Sequence, residues 1–280
     1  MALIAPLEPA RLHRLAEQAL REQPGAGHAT HVALIPPNRT CSAQLLVHQT
    51  GVLCGLDAAA AVFETIDPTL RFEPLAWDSA PLSELPAAVA QISGHAASLL
   101  AAQAVALALI GRLSGIATHT LHHVEAVNDT RAQILDTNTA PGTLESYAIG
   151  CGGGHTELPR QASPILITTT HIQLAGGISA AIDRARKQLP PGLTIEIETH
   201  TLEEAKQALA AHADALLLSN MQPETISQVV DHAPAHIWLH ATGHITLSNI
   251  ESFALPGIHA ITPHELTRTA PTLDTTLTLT

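Results

Sequence analysis

The sequence predicts an α/β protein in two parts, a compact α+β unit over the first third and a parallel α/β barrel beyond it. Two observations predict this. Past Gly115, short apolar runs alternate with amphipathic segments at strand-to-strand spacings of roughly 20 to 30 residues. Right-handed βαβ crossovers give that spacing, and about six or seven such repeats are enough to curl a parallel sheet into a barrel. In addition, apolar types make up 46% of the 280 residues and charged types 14%, a balance that supplies a large core and excludes a disordered, solvated chain. With two Trp, one Tyr and three Phe, that core must rest on Ala, Leu, Ile and Val.

Residues 11–22 carry helical periodicity, after which Gly25, Gly27, Pro36 and Pro37 break the chain. CSAQLLVH alternates as a strand does, and GVLCGLDAAAAVFETI reads as a strand edge running into a helix. Pro68, Pro74 and Pro81 punctuate the next segment; AAVAQIS is then a strand, followed by a long apolar helix over about 96–113. The run 98–118 has membrane-spanning length, but Gln103 and Arg112 interrupt it and small residues dominate. A buried helix is therefore expected, with no membrane as partner. In the second part the predicted strands are QILD, PILIT, LTIEIE, ALLLS, HIWLH and HAIT, and the segments SAAIDRARKQL, LEEAKQALAAH and PETISQVV are helices between them. The tail TLDTTLTLT alternates like an edge strand.

The formal charge is -12 at pH 7 and the thirteen Lys and Arg are spread thinly, so nucleic acid is excluded as a partner for want of a basic footprint. Cys41, Cys54 and Cys151 are too few and too scattered for a disulfide framework or a CxxC metal site, which fits a reduced, cytoplasmic compartment. The opening MALIAPLEPARLHR lacks the basic-then-apolar order of a signal peptide.

A parallel barrel builds its site at and just beyond the carboxyl ends of its strands. The residues predicted there are Asp136, Thr168, Glu198, Ser219, His240 and Thr262. Glu196 and Glu198 share one strand face by the period of two, either as a functional pair or as structural carboxylates satisfied by neighbours. Of eighteen histidines, His155, His171, His200, His240, His244 and His264 fall where the barrel mouth is expected. Imidazole with carboxylate is transition-metal chemistry, so Glu198 with His240 and His244, joined by His200, would make a zinc-like set; scattered surface histidines give the same composition.

The words RLSGIAT (112–118), TRAQILDT (130–137), PG (141–142), YA (147–148) and CGGG (151–154) resemble those of the quinolinate phosphoribosyltransferases, the decarboxylating enzymes of NAD biosynthesis. The resemblance covers 99–274 well and the first third more loosely. It implies an N-terminal α/β-sandwich domain over 1–110, an open α/β barrel over 111–270, and a C-terminal strand at 271–280 returning to the first domain. It also implies a homodimer whose subunits complete each other's sites. The implied reaction joins quinolinate, as the small-molecule substrate, to phosphoribosyl pyrophosphate with magnesium, and yields nicotinate mononucleotide, CO2 and pyrophosphate.

The framework is kept while most of the family's cations are replaced. Relatives continue the Asp-Thr pair with Arg-Lys-Thr, whereas Asp136 and Thr137 are followed here by Asn138, Thr139 and Ala140. Leu-Ile-Lys-Asp-Asn-His becomes Leu166 to His171 with Thr168 at the lysine position. The Asn-His-Arg group after the glycines becomes His155 to Leu158, and the aspartate of a Leu-Asp-Asn element becomes Ser219 before Asn220. A Ser-Gly-Gly turn becomes Thr242, Gly243 and His244, and His264 stands at a later glycine position. A glutamate and an arginine ahead of the conserved-type arginine become Gln103 and Ala104. By resemblance, Arg112 would orient a substrate carboxylate and Glu198 would act through magnesium or stabilise a cationic ribosyl centre. Asp136, Thr137, Asn138, Thr139, Thr168, His171, Ser219, Thr242 and Gly243 would line the substrate site. The expectation is weak or lost activity, or a barrel repurposed as a partner subunit, a small-molecule binder or a histidine-based metal binder.

Overall fold

The computed structural model describes residues 7–22, 34–136, 143–156, 165–190, 192–264 and 266–280. Contacts divide the chain into two units, one of Met1–Leu121, Gly142–Gly153 and Thr269–Thr280, the other of His122–Pro141 and Gly154–Arg268.

The first unit is built on a four-stranded antiparallel sheet. Helix α1 (Pro9–Glu22) buries Leu12 and Ala16, one turn apart, and strand β1 (Thr40–Val47) buries Ala43, Leu45 and Val47, every second residue. Short β2 (Gly51–Val52) leads to helix α2 (Leu56–Ile66), whose alanine-rich face and Phe63 enter the core. β3 (Arg71–Pro74), short β4 (Pro81–Leu82) and β5 (Ala87–His95) follow. The sheet runs in the order C-terminal strand (Thr275–Leu279), β1, β5, β3. The tail therefore pairs with β1, from Ala43 opposite Leu279 to Val47 opposite Thr275. β3 lay outside the strands read from sequence because Pro74 ends a four-residue edge element.

Helix α3 (Ala96–Ala126) is 31 residues long and passes unbroken through position 110, where a domain boundary was expected. Its apolar residues Leu99, Val105, Ile110, Leu113 and Ile116 are buried in the first unit's own core. It is long and apolar enough to cross a membrane by length and composition, with 56% of its most apolar stretch buried. The glycines that hid its second half in the sequence have a packing role. A Cβ on Gly111 would stand 2.6 Å from the Leu273 carbonyl oxygen, and one on Gly115 would overlap the carbonyl of Pro271. The chain before the last strand thus lies directly on the helix. Gly115→Ala should gain about 1 kcal/mol of helix propensity but lose about 3 kcal/mol to overpacking against main chain. We expect a net loss of about 2 kcal/mol, read as a lower urea midpoint; an unchanged midpoint would refute the close approach.

Helix α4 (Leu144–Cys151) also belongs to the first unit. Thr143 caps it by accepting from the Ser146 N–H at 3.1 Å. Sequence reading missed this helix because Gly150 and the glycines after Cys151 read as a turn.

The second unit is a six-stranded parallel sheet. It comprises β6 (Gln133–Ile134), β7 (Ile165–Ile167), β8 (Ile195–Thr199), β9 (Ala215–Ser219), β10 (Trp238–Gly243) and β11 (Ala260–Pro263). The order β6-β11-β10-β9-β8-β7 joins the first strand of the unit to the last and leaves β6 and β7 as the edges, which makes an open barrel. Between the strands lie α5 (Thr169–Ala175), α6 (Ile178–Gln188), α7 (Leu202–Ala210) and α8 (Pro223–His232). Ile195, Ile197, Leu216, Leu218, Leu239, Ala241 and Ile261 pack with the helices' Ile182, Ala205, Ile226 and Val229. Alternation then puts Glu196, Glu198, Leu217, Ser219, His240, Thr242 and Thr262 on the opposite face. Three strands differ most from their sequence reading, LTIEIE by starting two residues later, at Ile195. The QILD strand stops at Ile134, and the HIWLH strand starts two residues later and continues to Gly243, so His240 sits in mid-strand rather than at its end.

Candidate active site

Glu198 lies in β8, and its carboxylate meets the start of α5. The Thr169 backbone N–H and hydroxyl both donate to Glu198 Oε2, at 2.9 and 3.1 Å. His200 completes the group, with Nε2 2.8 Å from the Thr169 hydroxyl and 3.6 Å from Glu198 Oε1. Its Nδ1 is 3.2 Å from the Ser219 carbonyl, which can only accept, so Nδ1 carries a proton. The backbone of His200 is itself fixed, because its N–H donates to Glu204 Oε2 at 2.7 Å while Thr201 caps α7 by accepting from the Glu204 N–H. Thr169, Glu198, His200 and Ser219 are therefore brought together. Thr168 and His171 instead serve the helix end: the Thr168 N–H donates to His171 Nδ1 at 3.1 Å, and the Thr168 hydroxyl lies 3.0 Å from the same nitrogen.

The expected metal set does not assemble. His240 pairs with Glu196 rather than Glu198, its Nδ1 donating to Oε1 at 3.2 Å while Nε2 accepts from the Thr262 hydroxyl at 2.8 Å. His240 and Thr262 are each 2% exposed and Glu196 5%. Both ring nitrogens are used inside the barrel, and His244 is exposed on the loop after β10. Among the described residues, Glu198, His240 and His244 form no metal-binding group. The Glu–His–Thr line has the polarity of a nucleophilic relay, but its threonine is closed to solvent, so its work is to satisfy polar groups in the barrel.

The turn at Thr242, Gly243 and His244 is shaped by neighbouring backbone. Asn220, left-handed at φ 54, donates its N–H to the Thr242 carbonyl at 2.9 Å, and a Cβ on Gly243 (φ 132) would stand 2.5 Å from Asn220 Oδ1. Ser219 is buried, with its hydroxyl 3.3 Å from Asn220 Nδ2. Asp136 is buried, its N–H donating to the His155 carbonyl at 2.8 Å; burial holds the His155 imidazole below its ordinary pKa. Asp136, Pro263, His264, Leu266, Thr267 and Arg268 line a pocket of about 390 Å³. Arg268 was missed from sequence. Four residues beyond His264, it is the one described cation of the second unit on a loop leaving the carboxyl end of a strand, and its Nη1 lies 3.4 Å from His264 Nε2. The others lie on helices or at the opposite end, as with Arg186, which binds Asp214 and the carbonyls of Leu193 and His212. Arg112 is half-buried in the first unit and donates to the Ala270 carbonyl at 3.2 Å. Thr137, Asn138, Thr139 and Leu158 lie outside the described residues.

Comparison with known proteins agrees with this architecture. The family model for the quinolinate phosphoribosyl transferase C-terminal domain matches residues 116–278, and that for the N-terminal domain matches 28–114. A probable nicotinate-nucleotide pyrophosphorylase [carboxylating] from a Synechocystis strain is 34% identical over 238 residues, covering 83% of this chain and 80% of that protein. The human nicotinate-nucleotide pyrophosphorylase [carboxylating] is 32% identical, covering 100% and 94%. The crystal structure of NadC from Streptococcus pyogenes superposes with a TM-score of 0.88 at 30% identity, covering 99% of each chain. A fold with an open parallel barrel, the framework words and full-length similarity converge: the chain belongs to the quinolinate phosphoribosyltransferase family.

Proposed function

We propose that this chain is a divergent quinolinate phosphoribosyltransferase homologue in which transfer of a phosphoribosyl group from phosphoribosyl pyrophosphate to quinolinate is weak or lost. The observation that carries this reading is the polarity of the barrel mouth. Glu198, Ser219, Thr168, Thr169, His200 and Thr242 offer acceptors, hydroxyls and imidazole, with Arg268 as the one described cation on a strand-end loop. Binding a dicarboxylate and a leaving pyrophosphate calls for concentrated positive charge. Neutral hydroxyls do not supply it.

Where activity persists, Arg112 would orient a carboxylate, and Thr242 with Gly243 would hold phosphate. The Glu198 carboxylate and the hydroxyls of Thr169 and Ser219 are oxygen donors of the kind magnesium takes. That ion, when bound, would neutralise charge on the pyrophosphate. The pocket beside Asp136, His264 and Arg268 favours a second reading, a barrel that keeps a small-molecule site without turnover. Mass-spectrometric detection of nicotinate mononucleotide from quinolinate, phosphoribosyl pyrophosphate and magnesium would exclude the second reading.

We also propose a homodimer. The apolar surface of α3 is taken up largely by its own unit, so the support comes from Leu75, Trp77 and Leu85, which are 51%, 72% and 43% exposed in the first unit. Large apolar side chains left in water favour a partner. Sedimentation at micromolar concentration should give twice the 29.3 kDa chain mass; a monomer alone would overturn the proposal.

A further inference from the structure

Within the first unit, three residues far apart in sequence converge. Cys54 stands just before α2, Asp78 in the loop between β3 and β4, and Cys151 at the end of α4. The two sulfurs and a carboxylate oxygen lie within 4.8 Å of one another, the one such group among the described residues. A tetrahedral site with bonds of about 2.0 to 2.3 Å has edges of roughly 3.3 to 3.8 Å, so small side-chain rotations close the gap.

Each of the three is held from behind. The Cys54 N–H donates to the Ser114 hydroxyl at 2.9 Å, and that hydroxyl donates to the Cys54 carbonyl at 3.1 Å. Asp78 receives the N–H groups of Gly55 and Leu56 at 3.0 and 3.1 Å, and the Tyr147 hydroxyl also bonds to it. The loop carrying Asp78 is pinned to β2's exit, with Ser79 N–H to the Leu53 carbonyl at 2.8 Å and Leu53 N–H to the Ala80 carbonyl at 2.9 Å. Cys151 is set by Gly152, where a Cβ would overlap the Ala117 carbonyl; only glycine lets the end of α4 approach α3 so closely. Metal ligands oriented by such supporting hydrogen bonds are the ones that bind tightly.

We propose that Cys54, Cys151 and Asp78 form a binding site for a thiophilic divalent ion of the zinc type, with water as the fourth ligand. Two thiolates and one carboxylate select zinc over magnesium, which prefers oxygen donors throughout. As the ion enters, each thiol releases its proton, so two positive charges leave while two arrive. The buried site keeps the charge of Asp78 alone, and no redox change is involved. The ion would tie together the start of α2, the loop before β4 and the end of α4.

Cobalt(II) added to the reduced full-length chain should bind at one equivalent and give a sulfur-to-metal charge-transfer band. Cys54→Ser or Cys151→Ser should abolish that band, Asp78→Asn should weaken affinity at least about tenfold, and Cys41→Ser should leave it intact. Because Cys54 is fully buried, its variant could fail to fold. In wild type, therefore, bound zinc should protect Cys54 and Cys151 from alkylation, read by peptide mass, and raise the thermal midpoint. No saturable band, a band that survives both cysteine variants, or equal alkylation with and without zinc would each overturn the site.

Discussion

Incubated with quinolinate, phosphoribosyl pyrophosphate and magnesium, the wild-type chain is expected to form nicotinate mononucleotide far more slowly than once per second. A charge-assisted hydrogen bond contributes about 1.5 to 3 kcal/mol. Neutral residues at Asn138, Thr139 and Thr168 remove three of them, so transition-state stabilisation falls by about 5 to 9 kcal/mol, a rate loss of about 10⁴- to 10⁷-fold. Thr168 is already engaged with His171 at the start of α5, so it does not substitute for a long cationic side chain. Restoring charge by Asn138→Arg, Thr139→Lys and Thr168→Lys together should raise product formation at least about tenfold. Wild-type turnover of about 1 per second or more, the ordinary range for enzymes, would refute the reading.

The barrel was legible because its strands carry the right periodicity. ALLLS matches Ala215–Ser219 residue for residue, and the outward Ile and Leu of β8 and β9 meet the apolar faces of α7 and α8. Short or glycine-rich elements were not legible. α5 has seven residues, with threonine at its cap and at its first two positions, and α4 is closed by glycines that local propensity reads as a turn. The site was legible as a set of strand-end positions and illegible as partnerships. Period two placed Glu196 and Glu198 on one face, but it did not show that His240 meets Glu196 while Glu198 goes to Thr169 and His200, because the register sets His240 and Glu198 level across Leu217. Nothing in the spacing of positions 54, 78 and 151 announces their convergence, since it depends on three separate backbone approaches in the folded first unit.

The Glu196–His240–Thr262 line inside the barrel carries the second large effect. All three side chains are nearly inaccessible, and both ring nitrogens of His240 are engaged, one by Glu196 and one by Thr262. His240→Leu removes the donor to Glu196 and the acceptor for Thr262 while filling a similar volume. It leaves a buried carboxylate and a buried hydroxyl short of partners, a cost of about 3 kcal/mol or more. The urea midpoint should drop accordingly. His240→Gln, which can donate to Glu196 and accept from Thr262, should cost less than half as much. The double variant Glu196→Met with His240→Leu should recover most of the loss, because a buried pair replaced at both ends by apolar side chains is often neutral. A single His240→Leu variant within about 0.5 kcal/mol of wild type, the level of an ordinary surface change, would show that the line bears no stability. The zinc-dependent rise in the thermal midpoint should be the same in wild type and His240→Leu, since the proposed ion is held by Cys54, Asp78 and Cys151 in the first unit. Loss of that rise in the variant would return His240 to the metal-binding role that its hydrogen bonds argue against.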